Sequence, residues 1–366
     1  MTAPIRRVLR WLKWPLIVLG VIVLAAAIPI ARNEVSCTVK AAAGANTYKP
    51  LLATAHRRDE VNSYLTYPEW AIVHAYEDLA GVMRASSESD FAYFASISGF
   101  WSSLCDLTRL ASSRGPISLE YKVTLYTIGV SFAAEMGIKG AYERTIGRLT
   151  VWLRGSTRTP EDNFALAVAD DYAKFLRQTP WYEYPFGSKL GQFWRETPFT
   201  FASFVRSIER RAALTLEYGF KSVYAKLIGF GAGAIPAELK IRTVVRNAEP
   251  ADLAADPRIV VIGPIARGGT AIETPRYRAF TEILAGLAAR GRDLVEIAGN
   301  DDILVTVLAR DAAAAAKIDG NRLFLVPVQS RPGWSRLGFD VKVANLLAVI
   351  RQLETTGAEL EHVYDY

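Results

Sequence analysis

Of the 366 residues only three are histidine, His56, His74 and His362, and that scarcity bounds the chemistry on offer. A di-metal carboxylate centre in a helical bundle recruits a Glu-x-x-His pair from each of two helices. Here only His74 falls inside a helical pattern, and Glu77 follows it by three residues instead of preceding it. With Glu77, Glu69 and a remote carboxylate such as Glu135 or Asp170, His74 could build a one-histidine site at most. No metal is therefore expected, and a polar cluster on one helix face is the plainer reading of these residues. Glu69, His74, Glu77 and Glu135 are also the candidates for a catalytic acid–base centre, because proton transfer near neutral pH calls for an imidazole or a perturbed carboxyl. Glu135 stands out among them. It lies in VTLYTIGVSFAAEMGIKGAYE, where few charges can neutralise it, and a buried carboxylate must pair or shift its pKa. Lys139, four residues on, offers an intrahelical partner.

A second set of residues suits binding. Asp170 and Asp171 precede Tyr172, and Trp181, Tyr182 and Tyr184 fall in the cluster WYEYPF. Amphipathic aromatics of this kind line ligand clefts, settle at a bilayer surface, or pack a core. The two cysteines, Cys37 and Cys105, are candidates for a disulfide if the chain is exported, and separate thiols otherwise. Arg267-Gly268-Gly269-Thr270 lacks the Lys-Ser/Thr of a nucleotide-binding loop and reads as a turn. Gly-x-Ser-x-Gly, His-Glu-x-x-His and Cys-x-x-Cys do not occur, so no motif supports a serine hydrolase, a zinc protease or thiol redox chemistry, and no cofactor is expected.

What must carry these residues is set by the N-terminus. Trp14 to Ala31 is an uncharged apolar run of eighteen residues, which as a helix would cover roughly 27 Å, close to the hydrocarbon thickness of a bilayer. Arg6, Arg7, Arg10 and Lys13 precede it, so the bias in basic residues keeps the N-terminus in the cytoplasm and exports the bulk to the periplasm. The same four residues supply four of the six net positive charges. Too little basic surface remains to hold many phosphates, which excludes nucleic acid as a partner. A cleaved signal peptide ending near Ala25-Ala26-Ala27 is the rival reading, but the apolar run continues to Ala31, as a span requires.

The expected organisation is a cytoplasmic tail (1–13), a transmembrane helix (14–31), a linker or loose arm (32–60), a helical domain rich in aromatics (61–235) and an α+β domain (236–366). Thr66 and Glu69 with Pro68 resemble a capping box, and Thr159-Pro160-Glu161-Asp162 is a clearer helix start, a grammar repeated at Thr179-Pro180 and Thr197-Pro198. Leu227 to Pro236 is too short between charges for a second span and reads as a linker. Beyond Pro236 the order strand, helix, strand, strand, strand, helix, strand predicts a ferredoxin-like-type sandwich: two helices on one face of a largely antiparallel sheet, with DLVEIA and ILVTVLA joined as a hairpin through Gly299 to Asp302. No internal repeat is evident. The function expected from this frame is that of a single-pass, membrane-anchored envelope protein that binds or scaffolds a protein partner or an apolar or lipid ligand. An enzyme with an acid–histidine site in the helical domain is the alternative.

Overall fold

The computed structural model describes residues 27–39, 48–231, 239–265, 268–310 and 318–366. Most of the apolar run from Trp14 lies outside them, as do Ala232–Glu238 of the expected linker and the Ala312–Ala316 run. Among the described residues no helix is long and apolar enough to cross a membrane. The fold is α+β, with helices up to Gly231 and strands from Lys240 onward.

Among the described residues, after the helical stretch 27–32, the first half has seven α-helices: α1 (Val61–Ala85), α2 (Tyr93–Arg114), α3 (Leu119–Tyr142), α4 (Arg148–Arg154), α5 (Pro160–Leu176), α6 (Phe186–Glu196) and α7 (Phe204–Gly231). The start of α5 follows from local sequence alone. Thr159 Oγ1 accepts from the Asp162 amide, and the Asp162 carboxylate accepts from the Thr159 amide, both at 3.1 Å, a reciprocal cap with Pro160 in the first turn. Thr159→Ala is expected to lower the unfolding free energy by about 1 kcal/mol, read by thermal or urea denaturation. Three other expected starts are corrected. The first helix begins at Val61, so Pro68 sits inside it and the Thr66 hydroxyl donates back to the Asn62 carbonyl at 2.7 Å instead of capping. Thr179-Pro180 opens only a three-residue turn, and Thr197-Pro198 leads into coil before α7.

The second half corrects the single-sheet expectation. It holds two four-stranded antiparallel sheets, built from β1 (Lys240–Arg246), β2 (Val260–Pro264), β3 (Thr270–Pro275), then helix α8 (Arg278–Ala289) and β4 (Asp293–Ile297), followed by β5 (Asp302–Ala309), β6 (Asn321–Pro327), β7 (Ser335–Lys342), helix α9 (Val343–Thr356) and β8 (Glu359–Tyr364). The spatial orders are β2-β3-β1-β4 and β6-β7-β5-β8. These are one topology used twice, three strands, a helix and a fourth strand, so the chain contains a repeat that its sequence conceals. The connection Gly299 to Asp302 passes from one sheet to the other and is no hairpin. Strand β2, which reads as buried, is an exposed edge.

The two helices lie against each other; α9 runs along β4 of the first unit and α8 meets β8 of the second. Both sheets and both helices therefore share one apolar core, from Ile241 and Ile272 through Phe280 and Leu347 to Val305 and Phe339. The other face of the second sheet is covered by the helical half. Leu304, Phe324 and Tyr364 belong to the same cluster as Tyr64, Tyr67 and Leu79, with Tyr67 4.4 Å from Phe324, centroid to centroid. The corresponding face of the first sheet is covered by the expected loose arm, which is docked: Leu52 packs with Val244 and Ala271. The Glu296 carboxylate holds it, accepting from the Leu51 and Leu52 amides and from the Tyr48 hydroxyl.

Candidate functional site

Charges recur at Glu135 and Lys139 on α3 and at Glu143 just past its end, every fourth residue, so they line one side. Opposite them α7 presents Lys221, Glu217 and Arg210. The two helices run antiparallel, and the pairs match in sequence order: Lys221 Nζ lies 2.6 Å from Glu135, Lys139 Nζ 3.1 Å from Glu217, and Arg210 2.8 Å from Glu143. Glu88, from the turn before α2, closes the ladder by accepting from Lys139 at 2.8 Å and Arg210 at 2.6 Å. Further along, Arg206 binds Asp162 and Glu209, each at 2.8 Å. Arg206 and Arg210 are only 2% exposed. Among the described residues Glu135 and Lys139 do not pair with each other, because each finds a cation or carboxylate on α7 first.

The electrostatics follow from burial and neighbours. Burial works against ionising Glu88, but the Lys139 and Arg210 cations outweigh it and hold the carboxyl well below its usual range. Glu217 is likewise held at about 2 by Lys139 and Lys221 despite burial. Glu143 goes the other way. Burial, then the Glu88 charge beyond Arg210, push it up to about 7 from an ordinary 4.5. It lies in a π-helical turn, Glu143–Gly147, between α3 and α4, a distortion frequent at functional positions. A Cβ at Gly147 would meet the Glu143 carboxylate, so a larger residue there would push that carboxylate from its place beside Arg210. Between these two pKa values the folded chain holds a proton that the unfolded chain does not. The contribution of Glu143 to stability is thus complete below about 4.5 and lost as pH rises through about 7. Glu143→Gln, measured by urea denaturation across that range, is expected to flatten this fall.

Beside the ladder is a narrow cleft of about 30 Å³, lined by Tyr76, Val168, Tyr172, Phe186, Leu214 and Tyr218 together with Lys139 and Lys221. Lys221 stands over the Tyr76, Tyr172 and Phe186 rings at 5.3–5.6 Å, and the Tyr76 hydroxyl donates to Glu135 at 2.5 Å. The binding candidates read from sequence lie around this cleft, not in its wall. Tyr184 packs on Tyr172 and Phe186 one ring behind it. Asp171 accepts from the Tyr184 hydroxyl and binds Lys189, Asp170 pairs with Arg84 at the surface, and Trp181 stacks on Tyr224 while touching Tyr182.

The catalytic candidates separate. Glu69 is exposed on α1 and Glu135 belongs to the ladder. His74 and Glu77 do come together, Nδ1 to Oε2 at 3.2 Å, but against the second sheet, where His74 Nε2 lies 3.7 Å from Glu361. Arg336 grips Glu361 with two hydrogen bonds of 2.7 and 2.8 Å. His362 stacks on Trp70 at 4.0 Å; burial, with the His74 charge adding to it, pushes its pKa down to about 3. Among the described residues no group of three or more His, Cys, Asp or Glu side chains could hold a metal ion. Cys37 and Cys105 form a disulfide, Cα atoms 5.1 Å apart.

Sequence reasoning missed what lies on the other side of α3 and α7. Outward from the ladder α3 and α4 present Leu119, Val123, Ile138, Ile146, Leu149 and Trp152, each 51–77% exposed; α7 presents Val205, Ile208, Leu216, Phe220, Val223 and Leu227, each 46–74% exposed. Among the described residues no charged side chain interrupts the outward face of α3 from Val123 to Ala141. Each such side chain left in water forgoes roughly 1.5–3 kcal/mol of burial, and patches of this extent mark interaction surfaces. The signal was available: all three charges between Val123 and Glu143 fall on one side of α3, leaving none for solvent. This chain matches no protein-family model, no curated protein and no solved structure.

Proposed function

We propose that this chain is a membrane-anchored envelope protein with a binding or scaffolding role, whose helical half engages an apolar partner on the outward faces of α3 and α7. One observation carries the reading: from Val123 to Ala141 on α3 and from Ile208 to Val223 on α7 the ionised side chains are turned inward and paired, while the apolar ones face out, and the exposed Glu120 and Lys226 lie only towards the helix ends. A helix exposed only to water distributes them the opposite way. The anchor read from Trp14 to Ala31, with its basic flank, would place this surface on the periplasmic side. Among the described residues its last turns are helical from Ala27, and Ile28 is 61% exposed. The enzyme alternative has a hydrogen-bonded His74–Glu77 pair in its favour, but His74 is 3% exposed and offers a substrate no approach.

Two measurements test this. Alkaline extraction of membranes should leave the full chain in the pellet; recovery of a shortened, soluble chain would overturn the anchor. An environment-sensitive apolar dye should bind the detergent-free chain and lose most of its signal with Ile138→Asp, Leu216→Asp and Phe220→Asp combined. Unchanged dye binding by that variant would overturn the apolar surface.

A further inference from the structure

We infer that the partner of the outward α3–α7 face is the lipid bilayer itself, on which the helical half lies with these two helices against the acyl chains. The inference rests on the anchored-protein reading above and names its partner. Three features of the molecule carry it.

The first is where the apolar run enters the described structure. Its helical end, residues 27–32, leads into a π turn pinned to the beginning of α3 and the middle of α2. Asn33 donates to Tyr126 at 3.0 Å and to Thr108 at 3.2 Å, Glu34 binds Lys122 at 2.8 Å, and Cys37 is covalently joined to Cys105. Whatever holds the apolar run therefore holds the first turns of α3, where the exposed apolar face starts with Leu119 and Val123. A segment ending in a bilayer delivers that face to the same surface, with no free linker between them.

The second is the charge arrangement. An amphipathic element at a membrane surface buries an apolar face and sets cations and aromatic rings around it. Exposed Arg144 stands at one end of the face, beside Arg148, which pairs with Asp90 at 3.3 Å, and exposed Lys226 stands near the other end, so that Arg144 and Lys226 are positioned for anionic headgroups. Trp152, Phe201 and Phe204 are 74%, 82% and 48% exposed at the end where α4 meets the start of α7, and large aromatic rings favour that depth. The third is the ladder. Helices whose outer faces lie in a medium without water cannot leave their charges there, and here those from Val123 to Ala141 and from Ile208 to Val223 are drawn to the flank and paired. This arrangement suits a surface-lying helix, and none of the described helices is long and apolar enough to span.

The test uses the full chain in vesicles of phosphatidylethanolamine and phosphatidylglycerol. With both native cysteines in the disulfide, a single added cysteine can carry a fluorophore at Ile138, at Leu216, at Ile28 in the last turns of the anchor, or at Val260 on the exposed β2 edge. Acyl chains bearing a spin-label quencher should extinguish most of the emission at Ile138, Leu216 and Ile28 and leave Val260 bright. Quenching at Ile28 alone would overturn the inference while leaving the anchor standing; no quenching at any position would remove both. If Ile138 or Leu216 stays bright and its cysteine cross-links to the same position of a second copy, the face is a dimer interface and the inference fails. Leu216→Asp, on the surface and away from the ladder, should abolish quenching at Ile138 without lowering the melting temperature.

Discussion

Replacing Arg210 with methionine should lower the unfolding free energy of the full chain by about 3–5 kcal/mol, the range found when one partner of a buried ion pair is removed. The reason lies in what remains. Glu88 and Glu143 are 5% and 1% exposed, and the guanidinium donates to both; without it two carboxylates face each other in a poorly solvating interior. Lys139 still reaches Glu88, so Glu143 is the group left stranded, and it is expected to take up a proton at still higher pH. Adding Glu88→Gln and Glu143→Gln to Arg210→Met removes the stranded charges and should return most of the lost stability. Urea denaturation in mild detergent measures both steps. A loss below about 1 kcal/mol for Arg210→Met alone would mean that the ladder is solvated and not sealed.

The second large effect is expected at the disulfide. It closes a loop with a sequence separation of 68 residues, and chain-entropy arguments put the stabilisation from a loop of that size at about 4 kcal/mol. Cys37→Ser should approach that loss, and reducing the native protein should reproduce it, which separates the covalent bond from any effect of the new hydroxyl. Because Asn33 and Glu34 hold the same turn by side-chain bonds, the turn is expected to stay docked at moderate temperature. The cost should therefore appear in global unfolding more than in local proteolysis of residues 27–39.

How much of this was legible depended on the range of the interactions responsible. The start of α5 was, because Thr159 and Asp162 satisfy each other three residues apart. So was the buried face of α8, Phe280, Ile283, Leu284 and Leu287, though not its start, since Thr274-Pro275, which reads as a helix cap, belongs to β3; the end of α9 was legible too, where Gly357 takes the left-handed conformation at φ 67°. The beginning of α1 was not, because Ser63 and Tyr64 are fixed by the second sheet: the Ser63 hydroxyl donates to the Tyr364 carbonyl at 2.7 Å and Tyr64 donates to Asp340 at 2.7 Å. Two strands escaped notice for a different reason. Strand β3 ends in Pro275 and β7 carries Gly338 with polar residues at both ends, so neither shows a clean alternation. Losing those two strands turned two sheets into one and hid the repeat.

The candidate site was legible only where its contacts are local. Glu135 reads as a carboxylate short of neutralising charge with Lys139 nearest in sequence, but its partner Lys221 is on another helix, 86 residues away. His74 and Glu77 are three residues apart on one helix and meet; their neighbours Glu361 and His362 come from the last strand. The outward apolar faces could not be told from core by periodicity, because an apolar helix side looks the same whether protein or lipid covers it. Only the placement of the charges distinguishes the cases.

The sharing of helices between the two units of the second half bears on how that half opens. Since α9 rests on β4 as well as on β7 and β8, and α8 on β8 as well as on β3, each helix serves both units, and a lone unit would expose part of the shared core. The pair should consequently protect its amides as a single cooperative block: backbone hydrogens of β1 and β5, the inner strands of different sheets, are expected to exchange with deuterium at the same free energy of opening.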